Sequence, residues 1–388
     1  MNSTKATGTK RLITTEANPL KALTEYGQSV WLDYIRRSLI TSGELQRLLD
    51  EDGLRGITSN PVIFERAIAG STDYTETIKA LRSQYPDAKS LYEQLAIRDI
   101  QDAADLLRPM YEQTKRRDGY VSLEVSPYLA RNTQGTLEEA RRLWQAVGRD
   151  NVMIKVPATP EGILATEQLI GRGINVNVTL LFSQEAYEQV ARAYLAGLER
   201  YAISGGDVRN IASVASFFIS RIDSAIEGLI AARLKPPADA SEQRLLRSLI
   251  GKVAIANAKL TYQRYQELFS SQRFKTLAGL GAQTQRVLWA STSTKNPNYR
   301  DVIYIEELIG ADTVNTISPA TFEAFRYHGR LRASLTEDIE SAHDTMEALT
   351  QAGISMKEVT NQLLNDGLLL FSEAFDKLLN AVDRQSQI

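Results

Sequence analysis

Short apolar runs alternate with helix-like segments along almost the whole chain. The strand-like runs are SVWLDYI (29–35), LRGITSN (54–60), YVSLEVSP (120–127), NVMIKVP (151–157), INVNVTLLF (174–182), NIASVASFFI (210–219), RVLWAST (286–292) and DTVNTIS (312–318). Helical patterns separate them. TSGELQRLLDEDG ends at Gly53, a natural C-terminal stop. Two or three helices fill 61–119, and TLEEARRLWQAVG follows the third run. TPEGILATEQLIGRG offers Thr159 as N-cap with Pro160 at the first helical position, and Ser183 caps the next helix. Long helices fill 221–275, broken at LKPPADAS (234–241), and PATFEAFRYHG follows the last run. Strands alternating with helices imply a parallel sheet. Eight such units favour an α/β fold closed as a (β/α)8 TIM barrel, with an open doubly wound sheet as the alternative. Residues 1–18 read as a flexible lead-in, and 19–388 as one barrel domain with its C-terminal helices (335–388) packed outside.

Strands buried on both sides usually read as continuous apolar runs. Several of these alternate instead. Ser122, Glu124 and Ser126 oppose Val121, Leu123 and Val125; Asn175, Asn177 and Thr179 oppose Val176, Val178 and Leu180. Lys155 shares a face with Met153, Asp33 with Trp31, and Asn60 with Thr58. In a barrel one strand face meets the helices and the other points to the axis. The polar set Asp33, Thr58, Asn60, Glu124, Lys155, Asn177, Thr179 and Ser216 should therefore converge inside, toward the C-terminal strand ends where barrel enzymes place their sites.

Composition removes much other chemistry. The chain has no cysteine, so disulfides, thiolate nucleophiles and Cys-bound metals are excluded. Two histidines, His328 and His343, are a poor supply for a metal site or a Ser-His-Asp triad. A net charge of −2 gives no footprint for nucleic acid or an anionic membrane, and no apolar run is long enough to span one. The N-terminus lacks an apolar secretory region, so a cytoplasmic protein is expected and the sequons at Asn2 and Asn177 are read as accidental. GLGAQT (279–284) lacks the third glycine of a dinucleotide fingerprint.

What remains is an enclosed lysine with carboxylates nearby. Burial strips hydration from an ammonium and favours the neutral amine, which can attack a ketone. The resulting iminium draws electrons and permits cleavage of a neighbouring carbon–carbon bond. The bland alternative is a structural Lys155–Glu124 ion pair.

GITSNPVIFERAI (56–68), VMIKVPATPEGILATEQLIGRGINVNVTLLFS (152–183) and WASTSTKNPNYRDVIYIEELIGADTVNTISPATFEAF (289–325) resemble the signature segments of the transaldolase family, and VASFFISRID (214–223) resembles its longer bacterial subgroup. The resemblance runs from about Asn18 to beyond 370. It implies a circularly permuted class I aldolase barrel that moves a dihydroxyacetone unit between sugar phosphates, with no metal or organic cofactor. Lys155 would be the Schiff-base amine, Glu124 the acid/base carboxylate acting through a water, Thr179 a holder of that water, and Asp33 the base for the donor hydroxyl. Asn60, Asn177 and Ser216 would bind the dihydroxyacetone hydroxyls, with Thr58 lining the same pocket. Arg221, past the sixth strand, suits a bidentate grip on phosphate. Lys295 stands where the family more often has arginine, and offers a point charge instead of a fork. The resemblance leaves two alternatives: a fructose 6-phosphate aldolase without transfer, or a sugar-phosphate-binding barrel without catalysis. Sugar phosphates are the expected partners, with no nucleic acid and no membrane; monomer and homodimer both stay open.

Overall fold

The computed structural model describes residues 18–235 and 239–386. The expected lead-in lies outside them except for Asn18, whose Oδ1 caps a short helix by accepting from the Leu20 N–H at 3.0 Å. The sequon at Asn2 and the middle of the 234–241 break lie outside them as well.

Eight parallel strands close a barrel in chain order: β1 (Gln28–Asp33), β2 (Leu54–Thr58), β3 (Tyr120–Glu124), β4 (Val152–Pro157), β5 (Val176–Leu181), β6 (Ser213–Phe218), β7 (Arg286–Ala290) and β8 (Thr313–Ile317). β1 pairs with β8, so the sheet has no open edge and the doubly wound alternative is excluded. All eight runs read from the sequence are strands, and all but the fourth, which keeps its end at Pro157, are trimmed where the chain turns into its following loop.

The helix boundaries follow local chemistry. Gly53 takes φ 68°, the left-handed conformation that suits glycine, and ends the 44–52 helix. Thr159 and Ser183 cap the 160–170 and 184–203 helices by accepting from the N–H of Gly162 and Ala186. The 61–119 gap holds three helices, Pro61–Ala69, Thr75–Leu81 and Ala88–Gln113. The stretch read as long helices broken once is broken three times, into Ser220–Arg233, Ala240–Leu249, Val253–Ser270 and Gln272–Gly279. Gly251 at φ 72° makes the second break, and Ser271 makes the third by capping the last helix.

The barrel floor is plugged. Arg286, at the start of β7, pairs with Asp118 at 2.8 Å, both side chains 4% exposed. Ser29 and Trp31 of β1 also donate to Asp118, and a Cβ on Gly56 would lie 2.5 Å from the Trp31 ring. A buried pair of this kind needs its remaining polar groups satisfied, and these neighbours do so. This network fills the barrel at the N-terminal strand ends.

The C-terminal helices divide in a way the sequence reading did not anticipate. Ile339–Gln351 packs outside, on the 253–270 helix. Met356–Ser386 does not stay outside: it packs on the 61–69, 88–113 and 220–233 helices and on β5, crossing the barrel mouth. Its buried stripe includes Val359, Leu363, Phe371, Phe375, Leu378 and Val382. That helical spacing shows that one face is buried, but it cannot say against what; here the 61–69, 88–113 and 220–233 helices supply the partners.

Candidate active site

A chamber of about 600 Å³ opens at the C-terminal strand ends. Lys155 points into it from the middle of β4. Alternation decides this: Val152, Ile154 and Val156 face the helices, all buried, and Lys155 takes the other side. Its Nζ donates to the Ser59 carbonyl at 3.0 Å and stands 3.3 Å from Oε2 of Glu124. Parallel register sets this neighbourhood, because Glu124 pairs with Lys155 and Lys155 with Asn177 across adjacent strands. Both charged side chains are 5% exposed. Burial raises the Glu124 carboxyl to about 7, although the Lys155 charge pulls it down. Oε2 of Glu124 and Oγ1 of Thr179 are buried with no hydrogen-bond partner among the described residues. Oε2 has its ion pair with Lys155 but no hydrogen bond, and buried oxygens without one mark places where a small polar molecule can bind.

Asp33 ends β1 opposite Thr58, which donates to it at 2.6 Å. The Thr58 hydroxyl also meets that of Thr316 at 2.7 Å. Burial raises the Asp33 carboxyl above its ordinary value, partly offset by the charge of Lys155, the Thr58 bond and the charge of Arg221. Two carboxylates of different surroundings therefore flank one amine. Asn60 lines the chamber and caps the 61–69 helix, its Oδ1 accepting from the Ile63 N–H at 3.0 Å.

Asn177 departs from its expected place. It is fully buried and absent from the chamber wall. Its Nδ2 donates to Oγ of Ser122 and its Oδ1 accepts from Oγ of Ser216, so the amide braces β3 against β6. Ser216 and Thr179, by contrast, do line the chamber. Beyond Val178, β5 is irregular and Leu180 takes φ 61°.

At the rim, Arg221, Lys295 and Arg66 line the chamber, and none of their side chains forms an ion pair or hydrogen bond among the described residues. The Arg221 guanidinium lies over the Phe218 ring, 5.3 Å from its centroid, and burial lowers its pKa from the ordinary value. Unspent cations around a cavity are suited to an anionic ligand. The roof comes from the 356–386 helix: Leu370 and Phe371 line the chamber, with the Phe371 ring centroid 5.9 Å from Nζ of Lys155.

The structure thus brings together Asp33, Thr58, Asn60, Lys155, Thr179, Ser216, Arg221 and Lys295, with Glu124 in contact through Lys155. The sequence reading missed Arg66, Thr316, Leu370 and Phe371. Thr316 had a signal, since it is a polar residue near the C-terminal end of a strand already identified, on the face opposite Asn315 and Ile317. Arg66 and Phe371 had none beyond helical position. Among the described residues, no three His, Asp or Glu side chains are grouped to hold a metal ion, and no helix is long and apolar enough to cross a membrane.

Comparison with known proteins agrees with this geometry. The family model described as Transaldolase/Fructose-6-phosphate aldolase matches residues 30–382. The chain is 47% identical over 370 residues to the transaldolase of Trichodesmium erythraeum, covering 95% of this chain and 97% of that protein. It is 48% identical over 375 residues to transaldolase 2 of Nostoc punctiforme, covering 96% and 98%. To the transaldolase of Thiobacillus denitrificans it is 44% identical over 362 residues, covering 93% and 99%. The chain belongs to the transaldolase/fructose-6-phosphate aldolase family.

Proposed function

We propose that this protein is a transaldolase of the non-oxidative pentose phosphate pathway, acting in the cytoplasm as a single barrel domain over 19–388. It transfers a dihydroxyacetone unit from sedoheptulose 7-phosphate or fructose 6-phosphate to glyceraldehyde 3-phosphate or erythrose 4-phosphate. The observation that carries the reading is the enclosed Lys155 amine beside a carboxylate poised at about 7.

Lys155 passes its proton to Glu124 and attacks the donor ketone. The carbinolamine loses water, with Glu124 supplying the proton, and an iminium forms. Thr179, whose buried Oγ1 has no hydrogen-bond partner among the described residues, and Glu124, whose Oε2 has only its ion pair with Lys155, hold that water. Asp33 then takes the proton of the donor hydroxyl, the carbon–carbon bond breaks, and an aldose phosphate leaves. The electron pair stays on the enamine, which adds to the incoming aldehyde while Asp33 returns its proton to the new hydroxyl; water finally releases the new ketose from Lys155. The sequence balances without a metal or organic cofactor. Asn60, Ser216 and Thr58 face the three-carbon unit, Asn177 holds Ser216 in place, and Arg221 and Lys295 meet the phosphate.

Borohydride reduction in the presence of fructose 6-phosphate tests this. It should leave a three-carbon adduct on Lys155, located by peptide mass mapping. Absence of any adduct favours a non-catalytic sugar-phosphate-binding barrel. Lys155→Arg keeps the charge and should lower turnover by at least about a thousandfold. A fructose 6-phosphate aldolase would release free dihydroxyacetone as fast without an acceptor as with one. Glu124 favours transfer, since aldolase relatives commonly carry tyrosine there.

A further inference from the structure

The loop after β7 carries Lys295 to the chamber rim, and its course is fixed partly by lining residues (Ser291, Ser293, Ser318) and partly by Asp223, Glu227, Asn296, Tyr299 and Tyr304, which stand outside the lining. Three rungs tie it to the 220–233 helix. At the first, the Ser220 N–H donates to the Ser291 carbonyl at 3.1 Å and the two hydroxyls meet at 3.0 Å. At the second, Glu227 accepts from Nδ2 of Asn296 at 3.0 Å with one carboxylate oxygen and from the Tyr299 hydroxyl with the other. At the third, Asp223 accepts from the Tyr304 hydroxyl at 2.8 Å and from the Ala254 N–H at 2.8 Å.

Lys295 lies between two anchors. Before it, the Ser293 hydroxyl bonds to those of Ser318 and Thr321, at 2.8 and 2.7 Å, on the β8 side. After it comes Asn296, bound to Glu227. The loop starts under strain, because Ser291 takes φ 56°, which an L residue adopts at a cost of roughly 1–2 kcal/mol. Such a conformation persists only where the surroundings over-determine it. The brace extends to the 240–249 helix: a Cβ on Gly251, in the turn after it, would meet the Tyr299 ring at 2.9 Å. Arg221 sits on the same 220–233 helix, about 1.7 turns before Glu227. One helix therefore sets the places of both cations, one directly and one through a side-chain clamp.

We propose that Glu227 is the positioning residue for Lys295: by holding Asn296 and Tyr299 it fixes the lysine where it meets the substrate phosphate. The proposal rests on the transaldolase reading above. A lysine is a flexible point charge, so its worth as a phosphate ligand depends on where its backbone is held. A built clamp on the loop that carries a lysine in place of the commoner arginine supplies that constraint.

The test is a double-mutant cycle with two donors, using the intact protein. Glu227→Ala and Lys295→Ala should each raise KM for fructose 6-phosphate by about tenfold with kcat little changed. The double variant should be no worse than the poorer single one, because both lose the same interaction. Borohydride trapping of dihydroxyacetone, which has no phosphate, should proceed at the wild-type rate in Glu227→Ala. Glu227→Gln, which keeps one acceptor oxygen, should recover part of the affinity. If Glu227→Ala fails to fold, Tyr299→Phe and Asn296→Ala carry the same comparison. Additive effects in the cycle, an unchanged KM, or an equal loss of dihydroxyacetone trapping would each overturn the assignment. Failure of wild-type protein to trap fructose 6-phosphate on Lys155 would instead count against the transaldolase reading itself.

Discussion

Oε2 of Glu124 stands 3.3 Å from Nζ of Lys155, within a pair whose side chains are almost wholly out of water. That distance makes the carboxylate the natural acceptor for the proton the ammonium must lose before it attacks.

A pH dependence follows. Glu124 is held at about 7, chiefly by burial. Below that pH it already carries a proton and cannot take another. The profile of kcat/KM should therefore fall on the acid side with an inflection near 7 that belongs to the pair. Glu124→Gln should lose that inflection and about 10²–10⁴-fold in rate. Steady-state assays from about pH 5 to 9 check it. A Gln variant with the same inflection would assign the titration elsewhere.

The rim cations make a binding prediction. Arg221 is half-buried, whereas Lys295 and Arg66 are exposed, and solvent screening weakens the exposed ones. Arg221→Ala should raise KM for phosphorylated donors by roughly 10–100-fold, and Arg66→Ala by less. Competition by inorganic phosphate should weaken in the same order. Equal effects at all three positions would remove the argument from burial.

Phe371 makes a prediction about water. Its ring is 4% exposed and stands over the amine. Phe371→Ala should destabilise the protein by about 3–5 kcal/mol and admit water to the chamber. Hydrolysis of the enzyme-bound three-carbon unit should then compete with transfer. Free dihydroxyacetone released per transfer should rise several-fold; an unchanged ratio would mean that the roof does not shield the intermediate.

Asp223 makes a prediction about stability. Burial raises its carboxyl from 3.8 to about 6, against the pull of bonds from the Ala254 N–H and the Tyr304 hydroxyl. A group raised in the folded state binds more protons there than when unfolded. Its contribution is thus fully present below about pH 4 and is lost as pH rises through 6, by roughly 3 kcal/mol at most. Asp223→Asn cannot ionise. Its unfolding free energy relative to wild type should shift in the variant's favour between about pH 4 and 7, as read from denaturant curves. A constant difference across that range would contradict the raised value.

Much of this was legible in the sequence because strands have a period of two. One inward Lys155 among outward Val152, Ile154 and Val156 is readable without coordinates, and Asp33, Thr58, Thr179 and Ser216 follow by the same rule. Eight such runs left little room for another closure. Asn177 passed the same rule and still missed the chamber, because alternation gives the face and not the partners: Ser122 and Ser216 had already taken its amide. Phe371 was invisible for a different reason. An amphipathic helix declares how much surface it hides, not which surface it meets. The ladder from Ser220 to Asp223 to Glu227 was equally hidden, since its partners lie about 70–80 positions away in loops with no periodicity.

The helix across the mouth has a consequence for the order of events in folding. Lys155 and the residue that roofs it are more than two hundred positions apart. The surfaces that receive that helix belong to segments beginning at 61, 88 and 220, so they must be in place before it can dock. Contacts of such long range come after the loop-closure entropy of everything between them has been spent. The barrel can therefore be complete while its amine still faces open water. The chamber gains its roof only when the 356–386 helix docks on those surfaces.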